Sequence, residues 1–256
     1  MSTIDKALEV LELFSGSRPA LGLSEAARLL ERDKASVLRH ISALVRHGYL
    51  EQDPATRAYR LGPAVARLAM VREETYPLHD AVRDILNRLV AETGESAHFA
   101  QYGARAMLNV AHQETPRAGT RVHLDPAEAF PLHASASGLA FLAALNPERR
   151  AELLAEPFAL HTPRTPSNRE QVLRLVEEAA RRGYAIGWRS YDDDVVGIAA
   201  PVHDASGQPC GSVAVATPVV RMNETREAEI AASVMAAARD LSAHLGAPGA
   251  LTRAAE

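Results

Sequence analysis

The sequence predicts an α+β protein in two parts: an N-terminal winged helix-turn-helix and a larger part built on a central antiparallel sheet flanked by helices. Three observations predict it. Residues 23–48, LSEAARLLERDKASVLRHISALVRHG, read as two helices around a charged turn. A short hairpin pattern follows them directly. Beyond residue 77, hairpin-like strand pairs alternate with helical stretches, which is how helices covering an antiparallel sheet read in sequence.

Residues 3–14 form an amphipathic pattern, with Ile4, Ala7, Leu8, Leu11 and Phe14 on one helical face. Ser15-Gly16-Ser17-Arg18-Pro19 stops it. In the helix pair, Ser24 is the expected N-cap, and Ala26, Ala27, Leu29 and Leu30 are the first apolar face. Glu31-Arg32-Asp33-Lys34 is too polar for core and breaks the pattern. The second helix carries Val37, Leu38, Ile41, Leu44 and Val45 inward, and Gly48 suits a left-handed C-terminal cap. Between the apolar positions stand Lys34, Ser36, Arg39, His40, Ser42 and Arg46, a basic, hydroxyl-bearing face without a carboxylate. A major-groove reader needs such a face. Any surface helix has a polar side, so the neighbouring hairpin and the charge distribution decide the matter. Residues 49–52 and 58–61 read as two strands around Asp53-Pro54-Ala55-Thr56, which makes a wing. Arg57 sits at its tip, where it can reach a phosphate or a minor groove; otherwise it is an ordinary solvated arginine.

A DNA-binding domain is therefore expected over residues 1–62, with Lys34, Ser36, Arg39, His40, Arg46 and Arg57 as its contacts. Ser36, Arg39 and His40 are placed at or near bases, the others on phosphates. Pro63 opens a helix to about Thr75, broken at Tyr76-Pro77, so residues 63–77 are a linker helix. The second domain spans residues 78–246 and starts with a helix over 78–92. Strands follow over 96–102 and 106–112, joined by Gly103-Ala104-Arg105. Residues 113–130 are irregular. Helices are expected from His133, over 146–155, and over 169–182 with Gly183 as stop. Strands over 184–189, 195–202 and 212–217 and a long Ala-rich helix over 223–245 complete it, leaving residues 247–256 as a tail.

The bulk numbers agree with a globular chain. It has 256 residues, 47% hydrophobic and 23% charged. No apolar run reaches membrane-spanning length, and MSTIDKALEVLELF lacks the basic leader of a signal peptide. Cys210 is the single cysteine, which excludes an internal disulfide and fits a reducing cytoplasm. The formal charge of −4 is unevenly spread. Residues 1–72 hold eleven Lys/Arg against eight Asp/Glu, and the remainder seventeen against twenty-four. A basic head on an acidic body is the footprint of a polyanion-binding domain.

Enzymatic and metal chemistry find little support. His98, His112, His123 and His133 fall in one region, but no pair has helical metal-site spacing and HExxH is absent. His133 is read as structural, bonded to backbone near its helix start. Asp192-Asp193-Asp194 lacks an EF-hand pattern and reads as a solvated loop. Ser135 and Ser137 near His133 lack the GxSxG turn of a hydrolase, and GxGxxG and phosphate-loop motifs are absent. No metal, cofactor or catalytic residue is expected. The alternatives are a small-molecule-binding enzyme, or a sensor module without DNA binding, which leaves the basic winged head unexplained.

From residue 4 to residue 244 the chain resembles the IclR family of bacterial transcription regulators. The resemblance rests on the order and spacing of ALEVLELF, SVLRHISAL, GYLEQD, YRLG, PLHASASG, HTPRT, RRGYAI, IAAPVHD and GQPCGSVAVA. It implies a GAF-like second domain that binds an effector, and a ligand-gated repressor or activator acting as a dimer or tetramer on a pseudo-palindromic operator. Block by block, it places the effector at Ala136 and Ser137, Gly187, Gly197 beside Ile198, and Ala214 and Ala216. The helix opened by HASASG has free amides and a dipole that favour a carboxylate. Gly187 replaces the acid of well-studied members, Gly197 a frequent cysteine, and Ala214 and Ala216 two serines. The pocket is thus expected to be roomier and more apolar, for an aromatic or otherwise bulky carboxylate. Trp188, Tyr191 and His98 are further candidates to line it; for Trp188 and Tyr191 packing at a strand end is the competing reading.

Overall fold

The computed structural model describes residues 2–75, 79–125, 128–154 and 157–248, which fall into two compact units, Met1–Leu78 and His79–Glu256. Tyr76-Pro77, which the sequence marks as a helix break, Pro126 in the irregular segment, the end of the 146–155 helix and residues 249–256 of the tail lie outside the described residues.

In the first unit, α1 (Thr3–Leu11) starts on a capping box. The Ser2 hydroxyl accepts from the Asp5 amide at 3.1 Å, and the Asp5 carboxylate accepts from the Ser2 amide at 2.6 Å. The face it buries matches the expected one at Phe14, which is core, and at Leu11, which packs beside it. It differs at three positions: Val10 is core, whereas Ile4 is 71% and Leu8 51% exposed. A two-residue strand β1 (Ala20–Leu21), too short for any periodicity to show, leads to α2 (Leu23–Leu29). Its N-cap is Gly22, not Ser24, which is exposed inside the first turn. The α2 terminus closes with paired backbone bonds, Glu31 N–H to Arg28 and Arg32 N–H to Ala27, at 3.2 and 3.0 Å. This puts Glu31 in the left-handed region at φ 51°.

Asp33 then caps α3 (Lys34–Arg46), accepting the Ser36 amide at 2.7 Å. The end of α3 repeats the motif with the residue suited to it: Gly48 at φ 75°, donating to Val45, and Tyr49 donating to Leu44, both at 2.9 Å. Strands β2 (Leu50–Gln52) and β3 (Tyr59–Leu61) form the wing, and β1 joins them in an antiparallel sheet of order β1-β3-β2. The core gathers Val10, Ala26, Val37, Ile41, Leu50 and Tyr59. Helix α4 (Pro63–Thr75) follows, and Leu68, Met70 and Val71 on it are exposed.

The second unit is a six-stranded antiparallel sheet of order β6-β5-β4-β9-β8-β7. Its strands are β4 (Ser96–Gly103), β5 (Ala106–Gln113), β6 (Ala129–Phe130), β7 (Ala185–Trp188), β8 (Val195–His203) and β9 (Pro209–Pro218). Helices α5 (His79–Thr93) and α9 (Glu224–His244) pack on each other and on the sheet. Helix α6 (Ala136–Ala144) packs on β7, β8 and β9, with α7 (Pro147–Leu153) after it and α8 (Arg169–Arg182) against it. Gly183 ends α8 at φ 80°, where the sequence places the stop. Strand alternation separates the two faces: Ala199 joins the α6 cluster, and Ala200 stands beside α9 residues. The sheet that meets α6 carries rows of small residues in register, Gly187–Gly197–Ala216–Ser96 and Ala185–Ala199–Ala214–His98.

Candidate functional site

The first site is the outer face of α3 and the wing. Lys34, Ala35, Leu38, Arg39, Ser42, Val45 and Arg46 are exposed, and Ser36 is half-buried. Lys34, Arg39, Arg46 and Arg57 have no carboxylate partner among the described residues, whereas nearby Arg32 pairs with Glu9 and Arg60 with Glu51, both at 2.6 Å. Four unneutralised cations on one helix and one wing tip are a charge pattern suited to a polyanion. At that tip, Asp53 accepts the amides of Ala55 and Thr56 at 2.8 Å, and Arg57 takes φ 62° with its carbonyl held by the Gln52 side chain at 2.9 Å.

One candidate is corrected. His40 is 9% exposed and belongs to the buried side of α3 with Val37, Ile41 and Leu44. At 3.6 residues per turn, residues 37, 40, 41 and 44 share a stripe, and 35, 38, 39, 42, 45 and 46 share the other. Leu38 and Val45, expected inside, are therefore outside. Burial, with Lys6, Arg39 and Arg32 adding repulsion, holds the His40 imidazole below its ordinary pKa, which favours the neutral ring.

The second site is a cavity of about 100 Å³ between the small-residue rows and the start of α6. That is several times the roughly 10–15 Å³ needed by one water, room for a molecule of several heavy atoms. His98, Ala136, Ser137, Gly187, Gly197, Ala214 and Ala216 line it, as does Tyr191. Two candidates do not. Ile198 is fully buried and alternates with Gly197 onto the opposite sheet face. Trp188, 41% exposed, alternates with Gly187 and stands in a groove with Leu175, Arg182 and Tyr184. Lining residues that sequence reasoning missed include Glu128, Phe130, Asp192 and Val195, together with residues 122–124.

The glycines do not supply the extra room expected of them. A Cβ on Gly187 would stand 2.9 Å from the Ala136 nitrogen, and one on Gly197 would stand 3.0 Å from the Ala136 Cβ. The missing side chains admit the start of α6 itself. Ser135 caps that helix, accepting the Gly138 amide at 3.0 Å. Ala136 and Ser137 occupy its first two positions, whose amides have no intrahelical acceptor. The loop after β7 is tied down beside it: the Ser190 hydroxyl donates to Ala134 at 2.6 Å, and Thr165 donates to the Ser190 carbonyl at 2.7 Å.

His98 is 6% exposed, and its Nε2 lies 3.0 Å from the Ser137 hydroxyl. Its ring packs on Phe130 at 4.7 Å. Nδ1 is buried without a partner among the described residues. Burial, and secondarily the neighbouring His112, push its pKa down to about 4, so the ring is neutral near pH 7. Tyr191 donates its hydroxyl to Glu128 Oε1 at 2.8 Å. Burial raises the pKa of Glu128 and, with Glu128 adjacent, that of Tyr191.

The other histidines have separate surroundings. His133 Nε2 bonds to the Ala159 carbonyl at 2.9 Å, in the 157–160 segment and not near its own helix start, and its ring stacks on Phe158. His123 pairs with Glu114 at 2.5 Å. Among the described residues no group of three His, Cys, Asp or Glu is placed to hold a metal ion, and no helix is long and apolar enough to cross a membrane. Asp192 accepts the Asp194 amide at 2.8 Å and Arg189 pairs with Asp193 at 3.3 Å, contacts internal to an exposed loop. Burial raises the Cys210 thiol to about 11, so it stays protonated.

Two family models match the chain. One describes an IclR helix-turn-helix domain and covers residues 3–54; the other, bacterial transcriptional regulator IclR C-terminal, covers residues 74–243. Over 240 residues the chain is 30% identical to the HTH-type transcriptional regulator BhcR of Paracoccus denitrificans, spanning 93% of this chain and 85% of that one. The crystal structure of an IclR transcriptional regulator from Silicibacter sp. TM1040 shares its fold at a TM-score of 0.86 and 33% identity, over 96% of this chain and 97% of that one. An IclR homologue from Microbacterium hydrocarbonoxydans, complexed with 4-hydroxybenzoate, matches at a TM-score of 0.74 and 25% identity, over 94% of this chain and 100% of that one.

Proposed function

The chain belongs to the IclR family of bacterial transcription regulators, with a DNA-binding helix-turn-helix unit and a ligand-binding C-terminal unit, and from that premise we propose a cytoplasmic regulator switched by a small carboxylate. It binds a pseudo-palindromic operator as a homodimer or homotetramer, α3 entering the major groove. Arg39 reads a base there, with Ser36 at the groove edge; Lys34, Arg46 and Arg57 hold phosphates. The Paracoccus relative is likewise a transcriptional regulator.

One observation carries the carboxylate. The amides of Ala136 and Ser137 open α6 at a cavity whose wall includes His98, a nine-tenths buried side chain with an unpartnered nitrogen. Helix-start amides and the helix dipole favour an anion, and the apolar wall from Phe130, Ala214 and Ala216 suits a hydrocarbon body. The 4-hydroxybenzoate held by the Microbacterium homologue is of this class.

Coupling is then a linkage: the carboxylate changes operator affinity by the factor with which operator changes carboxylate affinity. The test is a mobility-shift titration of the full chain on the DNA upstream of its own gene, alone and with benzoate, glyoxylate or pyruvate. A shift whose midpoint moves with one of these acids is expected. No shift at low salt, or turnover of the acid, overturns the proposal.

A further inference from the structure

If the effector is a carboxylate, as proposed above, the cavity lining specifies which carboxylates fit. Among the described residues no lysine or arginine lines the cavity. The groups that favour an anion are the α6 amides and the Ser137 hydroxyl beside His98. The carboxylates of Glu128 and Asp192 line the same cavity, and His123, which also lines it, is paired with Glu114. Glu128 immediately precedes β6, at one edge of the sheet, and Tyr191 follows β7, at the other. The Tyr191–Glu128 hydrogen bond therefore joins segments from opposite edges, across the face that α6 covers. Tyr191 satisfies only Oε1; Oε2 has no hydrogen-bond partner among the described residues.

We propose that this pocket selects a monocarboxylate bearing a hydrogen-bond donor, a hydroxyl or amine, away from the carboxylate, with Glu128 as its acceptor, and that it rejects dicarboxylates. A second carboxylate on the ligand would stand beside Glu128 and Asp192 with no lysine or arginine to neutralise it, and with His123 already paired with Glu114. An unsubstituted acid would cover Glu128 and leave Oε2 without a donor, which costs affinity. Burial pushes the Glu128 carboxyl up, and the neighbouring Asp125 and Asp192 add repulsion, as a further carboxylate on the ligand would.

Calorimetric titration of the full chain tests this with matched probes: benzoate, 4-hydroxybenzoate, 4-aminobenzoate and terephthalate, and in the aliphatic series butyrate, 4-aminobutyrate and succinate. In the series that fits, the donor-bearing acid binds at least tenfold tighter than the unsubstituted one, and the dicarboxylate binds weakest. Glu128→Met, of similar length but without an acceptor, brings the donor preference to within threefold. Glu128→Gln, which keeps the shape and removes the charge, raises dicarboxylate affinity at least tenfold relative to the unsubstituted acid, and the two variants check each other should one fail to fold. Equal affinities for donor-bearing and plain acids, a dicarboxylate that binds tightest, or ratios unchanged by both variants overturn the inference while leaving the carboxylate site standing. Binding of none of the probes overturns both.

Discussion

His40, on a helix whose outer face is polar, and His98, on a central strand buried on both faces, are both buried. The consequences differ with what surrounds them. His40 lies under Lys6, Arg32 and Arg39, so losing its charge relieves repulsion within a basic cluster. His98 is enclosed by Phe130 and the start of α6, and its pKa of about 4 reflects lost hydration. That shift is also a stability statement. The unfolded chain holds a histidine of ordinary pKa near 6.5 and binds a proton through the window from pH 6.5 down to about 4, which the native chain declines. Native stability is thus whole above pH 6.5 and is lost on acidification, by up to about 3 kcal/mol from this residue across the window. Burial lowers His40, His133 and His203 in the same direction. Denaturant unfolding at pH 7 and pH 4.5 separates them: His98→Gln, which keeps a group near Ser137 but cannot titrate, should lose about one proton's worth of the pH dependence. Identical slopes for wild type and variant would refute the assignment.

At the scale of elements, the turn between α2 and α3 stores strain. Glu31 adopts a left-handed conformation that costs an L residue about 1–2 kcal/mol, in a motif that the chain builds with glycine at Gly48. Glu31→Gly removes that cost and adds about 0.5–1 kcal/mol of unfolded-state entropy. A net stabilisation of about 0.5–1 kcal/mol is expected in urea unfolding, and any destabilisation would mean that the Glu31 side chain holds the turn. Legibility followed the length of each element and the range of its contacts. Helix α8 with its Gly183 stop, and the strand succession β7, β8, β9, were readable because several turns or pairs repeat one pattern. Strands β1 and β6, two residues each, carry no period to read. On α3, Leu38, His40 and Val45 take the faces opposite to those the pattern predicts, because apolar and polar residues interleave on both stripes. In the pocket, the resemblance to the family's sequence blocks points to the cavity, but Glu128 lies in an irregular segment and meets Tyr191 only through the tertiary fold.

Over the whole molecule, the basic head and acidic body set how binding responds to salt. Residues 1–72 carry a net charge of +3 within a chain of −4, so the field that attracts a polyanion is local to the first unit. In the proposed complex, Lys34, Arg46 and Arg57, without carboxylate partners among the described residues, would make three phosphate contacts per protomer and about six for two protomers. Counterion release then sets a slope of about −5 in log affinity against log salt, a loss of about 10³ between 50 and 200 mM. Arg57→Ala, at an exposed wing tip that supports no core contact, should reduce the magnitude of the slope by about 2 in the dimer and weaken specific and random duplexes alike. Arg39→Ala should instead weaken the specific duplex by about 1–3 kcal/mol and spare the random one. Fluorescence-anisotropy titrations of both variants at four salt concentrations measure these quantities together. A shallow slope that neither substitution changes would place the DNA contacts elsewhere than on α3 and the wing.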